Sequence, residues 1–191
     1  MSQGAGAPAR RRWPWIVGAL VVAALVFADH RGLLLVPRSD DMATYQGVRA
    51  RVLRVLDGDT IEIDIRDAVA RTPFTRVRLW GVDCPETAKP DRAAEPWAQE
   101  ARQLARSAIA DGPVTLRLEL HRTRGTFGRV LAHVQPAEGP SLAEALLESG
   151  FAATDERWPH ALLGHYAQLQ NAARRAGVGV WSKQGTDARR H

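Results

Sequence analysis

The stretch LDGDTIEIDI, residues 56–65, alternates apolar and polar side chains after an Asp-Gly-Asp turn. Ile61, Ile63 and Ile65 share one parity, which predicts a strand with one face in a core. Asp59 continues the same parity, although a carboxylate is costly to bury without a partner. A water-lined rim, hydrogen-bonding backbone groups or a bound cation would each make Asp59 tolerable. The stretch therefore predicts a hairpin with a polar site beside it.

The flanking sequence continues the β pattern and then alternates it with helical spacing. Strands are predicted over residues 48–56, 60–65, 74–82, 114–120 and 129–134. Helices are predicted over residues 97–109, after the capping-box pair Ser141 and Glu144, and from Leu162 to a stop at Gly177. The order βββαββαα favours an α+β class, a five-stranded Greek-key barrel of the OB type with three helices.

Composition supports one folded domain. The chain has 191 residues, of which 45% are hydrophobic and 25% charged, enough for one core with short appendages. Its net charge is +5, but Arg10, Arg11 and Arg12 supply three of those charges, so overall basicity is weak support for a polyanionic partner. The single cysteine, Cys84, excludes an internal disulfide.

The N-terminal region has the pattern of a targeting segment. Residues 1–12 are basic, and residues 13–28 form an uncharged apolar run that predicts a hydrophobic helix, either a signal-anchor or a transmembrane helix. The expected location is the inner membrane, as a single-pass protein whose folded domain is periplasmic or extracellular. Secretion after cleavage near Ala28 and a buried soluble helix are the alternatives. Residues 29–46 are predicted to be a linker, residues 47–182 the domain and residues 183–191 a polar tail.

Four carboxylates accompany the predicted strand ends and turns. Asp57 and Asp59 lie in DGDT, and Asp83 and Glu86 in RLWGVDCPE, residues 78–86. Hard divalent cations such as calcium prefer carboxylate, carbonyl and water oxygens, and Asp59 and Asp83 are the better candidate ligands. In the alternative interpretation, Asp57 only shapes a turn with the glycine that follows it.

Two arginines accompany these acids. Arg78 opens the second motif, and Arg129 lies in FGRVLAHV, residues 127–134. A guanidinium holds two phosphate oxygens at once and stabilises charge that develops on a phosphoryl group. Each arginine taken alone is better explained as a solvated strand residue or as an ion-pair partner of a nearby acid. Their combination with the acids favours a phosphate-binding site.

These three segments, in this order and spacing, resemble the staphylococcal nuclease (thermonuclease) family. The resemblance covers residues 48–182 and includes the Trp-Ser pair at Trp181 and Ser182. It implies an OB-fold barrel and an endonuclease that hydrolyses the phosphodiester bonds of DNA, RNA or both with calcium. It also implies that Asp59, Asp83 and the backbone carbonyl of Cys84 are the metal ligands. Asp57 and Thr60 would support them.

The same resemblance implies the catalytic residues. Glu86 would be the general base that takes a proton from the attacking water, and Arg78 and Arg129 would bind the scissile phosphate. The chain departs from the family at Gly125 and Phe127, where an acid and a tyrosine often precede the Gly-Arg pair. A cation beside Asp59 would also explain how this carboxylate is tolerated.

Other readings of the chain are a non-catalytic OB module that binds nucleic acid or a protein, and a phosphodiesterase that uses magnesium. Trp158 is expected either to stack on a nucleobase or to have an ordinary packing role. The six histidines show no ligand spacing and are expected to be structural or solvated. The expected partners are the nucleic-acid substrate and, through residues 13–28, a membrane. The protein is expected to be a monomer.

Overall fold

The computed structural model describes residues 40–110 and 112–182. Its helices are α1 (Asp40–Tyr45), α2 (Ala98–Ala108), α3 (Leu142–Glu148) and α4 (Leu163–Ala176), followed by a 3-10 turn at Gly179–Trp181. Its strands are β1 (Arg49–Ala50), β2 (Val52–Asp57), β3 (Thr60–Ile63), β4 (Thr75–Leu79), β5 (Val82–Asp83), β6 (Val114–Arg117), β7 (Val130–Gln135) and β8 (Ala153–Thr154).

Six strands form one sheet in the order β1-β6-β7-β4-β3-β2, while β5 pairs with β8 separately. The edge strands β1 and β2 are separated in the chain by Arg51 alone, so the sheet curls back toward itself. The predicted α+β class, with an OB-like curled sheet, is confirmed. The predicted count of five strands is not. The first predicted strand is interrupted at Arg51, and the third breaks where Gly81 adopts a φ of 76°.

The hairpin predicted around the Asp-Gly-Asp turn joins β2 to β3. Asp57 pairs with Thr60, which leaves Gly58 and Asp59 as the two-residue loop. Position 58 requires a glycine because the neighbouring side chains leave no room for a Cβ atom. A Cβ at this position would lie 2.8 Å from the Cβ of Ala101 and 2.9 Å from the Sγ of Cys84. The loop is thus pressed against α2, which fixes the start of β3.

The core is formed mainly by β3, β4, β7 and α3. Its fully buried side chains include Ile61, Ile63, Val77, Leu79, Val130, Val134, Leu142 and Leu146. The predicted capping box begins α3, since Glu144 N–H donates to Ser141 Oγ at 3.3 Å and Ser141 N–H donates to Glu144 Oε2 at 2.8 Å. The predicted stop after α4 is also present, because Gly177 takes a φ of 63°.

The predicted linker, residues 29–46, contains regular structure at its end. Helix α1 occupies Asp40–Tyr45, and both Asp41 and Tyr45 are buried. The Tyr45 hydroxyl lies 3.0 Å from Thr75 Oγ1 on β4, so tertiary packing holds this short helix. The segments predicted at residues 1–12, 13–28 and 183–191 lie outside the described residues.

The localisation predicted from the sequence is corrected. Across residues 40–110 and 112–182, no helix is both long enough and apolar enough to cross a bilayer. The prediction of a single-pass inner-membrane protein is therefore wrong by this finding.

Candidate active site

Strand pairing brings the predicted site residues to one end of the sheet. Asp59 directly precedes β3, Arg78 lies near the end of β4, and Arg129 directly precedes β7. Thr60 is opposite Arg78 in the antiparallel β3–β4 pair, and β7 runs parallel to β4 from its first residue. Because β4 lies between β3 and β7, residues from three strands meet beside Arg78.

Asp59 is almost completely buried, with 2% of its surface exposed. Its Oδ1 accepts a hydrogen bond from the Thr60 hydroxyl at 2.9 Å, and its Oδ2 accepts one from Cys84 N–H at 2.8 Å. The Arg78 guanidinium also contacts Oδ2. Burial raises the pKa of Asp59, although the charge of Arg78 and the hydrogen bonds oppose this rise. A guanidinium and backbone hydrogen bonding thus make the buried carboxylate tolerable.

Arg78 is the centre of the cluster. Its guanidinium contacts the carboxylates of both Asp59 and Asp83 and donates to the Val82 carbonyl at 3.2 Å. Burial lowers the pKa of Arg78, but the two carboxylates outweigh burial and raise it. Asp83 is open to solvent, with 60% of its side chain exposed.

The donor set fits a hard divalent cation. Asp59 and Asp83 both contact the Arg78 guanidinium, so two carboxylates face one cationic group, and carboxylate oxygens are the ligands that a hard divalent cation prefers. Asp59 is held rigidly by its hydrogen bonds, whereas Asp83 reaches solvent and provides an entry path for a cation. Cys84 contacts Asp59 through its N–H, and its carbonyl as a ligand stays a prediction. The Cys84 thiol is buried, and burial raises its pKa well above its ordinary value.

Arg129 is joined to the same cluster through Thr60. Its Nη1 donates to Thr60 Oγ1 at 3.3 Å, and the hydroxyl in turn donates to Asp59. The Nε of Arg129 is buried and has no hydrogen-bond partner within the described part of the chain. Burial and the nearby charge of Arg78 lower the pKa of Arg129. Two neighbouring guanidinium groups, one with an unused donor, favour an anion between them.

The remaining predicted residues are Asp57, at the end of β2, and Glu86, which follows β5. Asp57 accepts hydrogen bonds from the backbone N–H of Thr87, at 3.2 Å, and from its hydroxyl. Glu86 is 41% exposed, and its Oε2 accepts from Lys89 Nζ at 2.6 Å and from Arg92 Nη1 at 3.2 Å. Glu86 therefore forms its ion pairs with Lys89 and Arg92. Asp57 anchors Thr87, the residue that follows Glu86.

A cleft adjoins Arg78 and Arg129. Its lining residues are Arg78, Leu79, Trp80, Gly81, Arg122, Gly125, Thr126, Phe127, Arg129, Leu131, Asp155, Arg157 and Trp158. The Arg122 guanidinium lies over the Trp158 ring, 3.8 Å from its centre. Sequence reasoning missed Arg157 and Asp155, which form a two-contact ion pair at 2.7 Å. The only sequence signal for this pair was its place beside Trp158.

A cleft lined by arginines, next to converging carboxylates, is the arrangement of an enzyme that acts on phosphate esters. Comparison with known proteins agrees with this class. The family described as "Staphylococcal nuclease homologue" matches residues 76–183, more than half of the chain. The chain belongs to this family.

Similar proteins carry nuclease names. The thermonuclease of Staphylococcus hyicus is 27% identical over 87% of this chain and 94% of its own length. An uncharacterized endonuclease of Escherichia coli is 31% identical over 71% of the chain and 78% of its own length. Probable endonuclease LCL3 of Schizophyllum commune is 29% identical over 87% of the chain and 68% of its own length. The predicted family and enzyme class, a phosphodiester-hydrolysing nuclease, are confirmed.

Proposed function

We propose that this chain is a calcium-dependent nuclease that hydrolyses phosphodiester bonds in DNA, RNA or both. The observation that carries the proposal is the convergence of Arg78 and Arg129 on one cleft, linked through Thr60 to the buried Asp59.

Calcium would be held by Asp59, Asp83 and the carbonyl of Cys84. Bound there, it would supply positive charge beside the scissile phosphate. The Thr60 hydroxyl and the Cys84 N–H each donate to one oxygen of Asp59, so the orientation of the carboxylate is set by the fold. Such fixed ligands reduce the reorganisation that metal binding requires.

Arg78 and Arg129 bind the phosphate oxygens. Arg78 is held by three acceptors, so its guanidinium plane is set by the fold. Arg129 has a fixed contact to Thr60 and a free donor. Their donors stabilise negative charge as it grows on the phosphoryl oxygens during displacement.

Glu86 takes the proton from the attacking water. Its carboxylate is exposed and accepts hydrogen bonds from Lys89 and Arg92, and a carboxylate oxygen that reaches solvent can accept the proton of a water molecule. Lys89 and Arg92 are themselves exposed, so water can replace their contacts with the Glu86 carboxylate. Asp57 holds the backbone of Thr87 and so limits the movement of Glu86.

The aromatic side chains of the cleft contact the bases. Trp158 is 43% exposed with one face covered by Arg122, and Phe127 is almost fully exposed beside Arg129. Flat rings next to phosphate-binding arginines suit single-stranded nucleotides, because every base offers a face for stacking.

The test is cleavage of DNA and RNA by the purified full chain, with calcium, with magnesium and with a chelator. We expect cleavage with calcium that the chelator abolishes. Glu86→Gln should lower kcat by about 100-fold or more. Glu100→Gln, which changes an exposed acid in the first turn of α2, is the matched control and should stay near the parent rate.

Three results would contradict the proposal. Binding of nucleic acid without cleavage under any metal would favour the non-catalytic OB module. Full activity with magnesium but none with calcium would identify a different phosphodiesterase. Equal rates for Glu86→Gln and the parent chain would remove Glu86 from the mechanism.

A further inference from the structure

Three metal-binding side chains meet next to the segment that carries Trp158. Glu119 follows β6, His133 lies on β7, and His160 lies between β8 and α4. One ligand atom from each lies within 4.8 Å of the other two. Their separation in the sequence explains why spacing gave no sign of a site.

Glu119 and His133 are already oriented toward each other. The Oε1 of Glu119 lies 3.2 Å from His133 Nε2 and accepts from Ala161 N–H at 3.1 Å. The other ring nitrogen of His133, Nδ1, lies 3.0 Å from the Tyr166 hydroxyl. The contact at Nδ1 holds the orientation of the ring, as the corresponding contact does in metal-ligating histidines.

His160 supplies the independent observation. Its Nε2 is buried and lacks a hydrogen-bond partner among residues 40–110 and 112–182, whereas its Nδ1 accepts from Leu162 N–H at 3.3 Å. The ring packs on Gly81, where an added Cβ would lie 2.2 Å from Nε2. A buried imidazole nitrogen without a partner is costly, and a metal ion would satisfy it.

We propose that Glu119, His133 and His160 bind one divalent transition-metal ion of the zinc type. Two imidazoles and a carboxylate suit zinc, whereas the Asp59 and Asp83 oxygens suit calcium, and the two sites share no residue. Ligands bonded to zinc at 2.0–2.2 Å lie about 3.3–3.6 Å apart, so the Glu119–His133 pair already has nearly the required separation.

The fourth position would be water or His121. The ring of His121 packs edge-on against Trp80, with centres 5.5 Å apart, and His160 packs edge-on against the same indole at 6.4 Å. His121 is exposed and lies two positions after Glu119 in the chain.

The metal would fasten one side of the cleft. Arg122 and Trp158 form the cation-π pair of the cleft. His121 directly precedes Arg122, and His160 follows Trp158 by two positions. An ion that joins the Glu119 and His160 segments would hold that pair in place. This consequence for substrate binding depends on the proposed nuclease function, but the binding of the metal does not.

The experiment is titration of the metal-free full chain with zinc, followed by calorimetry and elemental analysis in the absence of nucleic acid. We expect one zinc per chain and an increased Tm. Glu119→Gln and His133→Asn should each weaken zinc binding at least tenfold. His165→Asn removes a histidine that contacts Glu144 instead, and this matched control should bind zinc as the parent chain does.

Cobalt(II) provides a readout that needs no variant, because its visible spectrum reports nitrogen ligation and coordination number in the parent chain. A four-coordinate spectrum with nitrogen ligands supports the site, even where a variant fails to fold. A spectrum without nitrogen ligands would overturn the proposal. So would zinc affinity unchanged in folded Glu119→Gln, or zinc binding lost in Asp83→Asn but kept in His133→Asn. If the chain bound zinc as expected but cleaved no nucleic acid, the zinc site would stand and the nuclease proposal would fail.

Discussion

The guanidinium of Arg78 contacts the carboxylate of Asp59, so the proposed phosphate-binding group and the proposed calcium ligand form one buried ion pair. Each neutralises the other inside the fold, where an unpaired charge would be costly. A cation arriving beside Asp59 would replace part of that neutralisation and leave Arg78 available to an anion. If the proposed roles hold, this pair would link metal binding to phosphate binding.

Arg78→Lys should lower kcat by about 100-fold or more, because an ammonium cannot span Asp59, Asp83 and a phosphate with fixed planar donors. The measurement is single-turnover cleavage at saturating calcium. Arg76→Lys changes the same strand at a residue that pairs with Glu62, and it should keep most of the activity. Equal losses in the two variants would show that Arg78 acts through the stability of β4.

Thr60→Val should lower kcat by about 10-fold to 100-fold, since it removes the hydroxyl that donates to Asp59 and accepts from Arg129. Thr60→Ser keeps the hydroxyl and should restore most of the rate. Kinetics and the Tm of both variants are the measurements. A rate in Thr60→Val equal to that of the parent would remove Thr60 from its supporting role.

Local sequence patterns predicted much of this site. The Asp-Gly-Asp turn set the register of Asp59 and Thr60, and strand alternation placed Arg78, because hairpin geometry and side-chain parity are local properties. Parity failed at Glu62, which is only 1% exposed although it was expected on the polar face. Two arginines on neighbouring strands cover it, and no local pattern reports such a contact.

Contacts between distant segments could not be predicted. Helix α1 lies within residues that were predicted to be a linker. The helix is held by the contact of Tyr45 with Thr75, which is 30 positions away in the chain. The cluster of Glu119, His133 and His160 depends on how a loop after β8 returns to the sheet. Neither arrangement has a short motif, so only the assembled fold shows them.

Gly58→Ala should reduce the free energy of unfolding by about 1–3 kcal/mol, because the new Cβ would lie 2.8 Å from Ala101 and 2.9 Å from Cys84. It should also lower activity, since Asp59 is the next residue. Gly164→Ala is the control with the opposite sign. Nothing lies within 4 Å of its added Cβ, and alanine in α4 should stabilise by about 0.5–1 kcal/mol. Urea unfolding measures both, and destabilisation by the two variants alike would contradict the packing argument.

Glu62 should make stability depend on acid pH. Burial alone would raise its pKa, but hydrogen bonds from Arg76 and Arg54 outweigh burial and lower the pKa below 4.5. The stabilising contribution is therefore complete above pH 4.5 and is lost as the pH falls through the folded-state pKa. Glu62→Gln should be less stable than the parent chain by about 1–3 kcal/mol at pH 7, and the difference should shrink below pH 4.5. Urea unfolding from pH 7 to pH 3 measures it, and a difference that is constant with pH would contradict the ionic explanation.

Arg124 joins helix α1 to the sheet. Its guanidinium lies 2.7 Å from Asp41 and 2.8 Å from Asp67, and both carboxylates are nearly fully buried. Burial alone would raise the pKa of Asp67, but hydrogen bonds from Arg124 and from backbone N–H groups together outweigh burial and lower it.

Arg124→Gln should therefore cost about 3–5 kcal/mol of stability, because it leaves two buried carboxylates without a cation. Arg51→Gln breaks an exposed pair with Asp64 and should cost less than about 1 kcal/mol. Adding Asp41→Asn and Asp67→Asn to Arg124→Gln should recover part of the loss, since the stranded charges are then removed. If the triple variant were less stable than Arg124→Gln, the cost would come from lost packing of the arginine side chain and not from unpaired charge. Urea unfolding of all three variants at pH 7 separates these two causes.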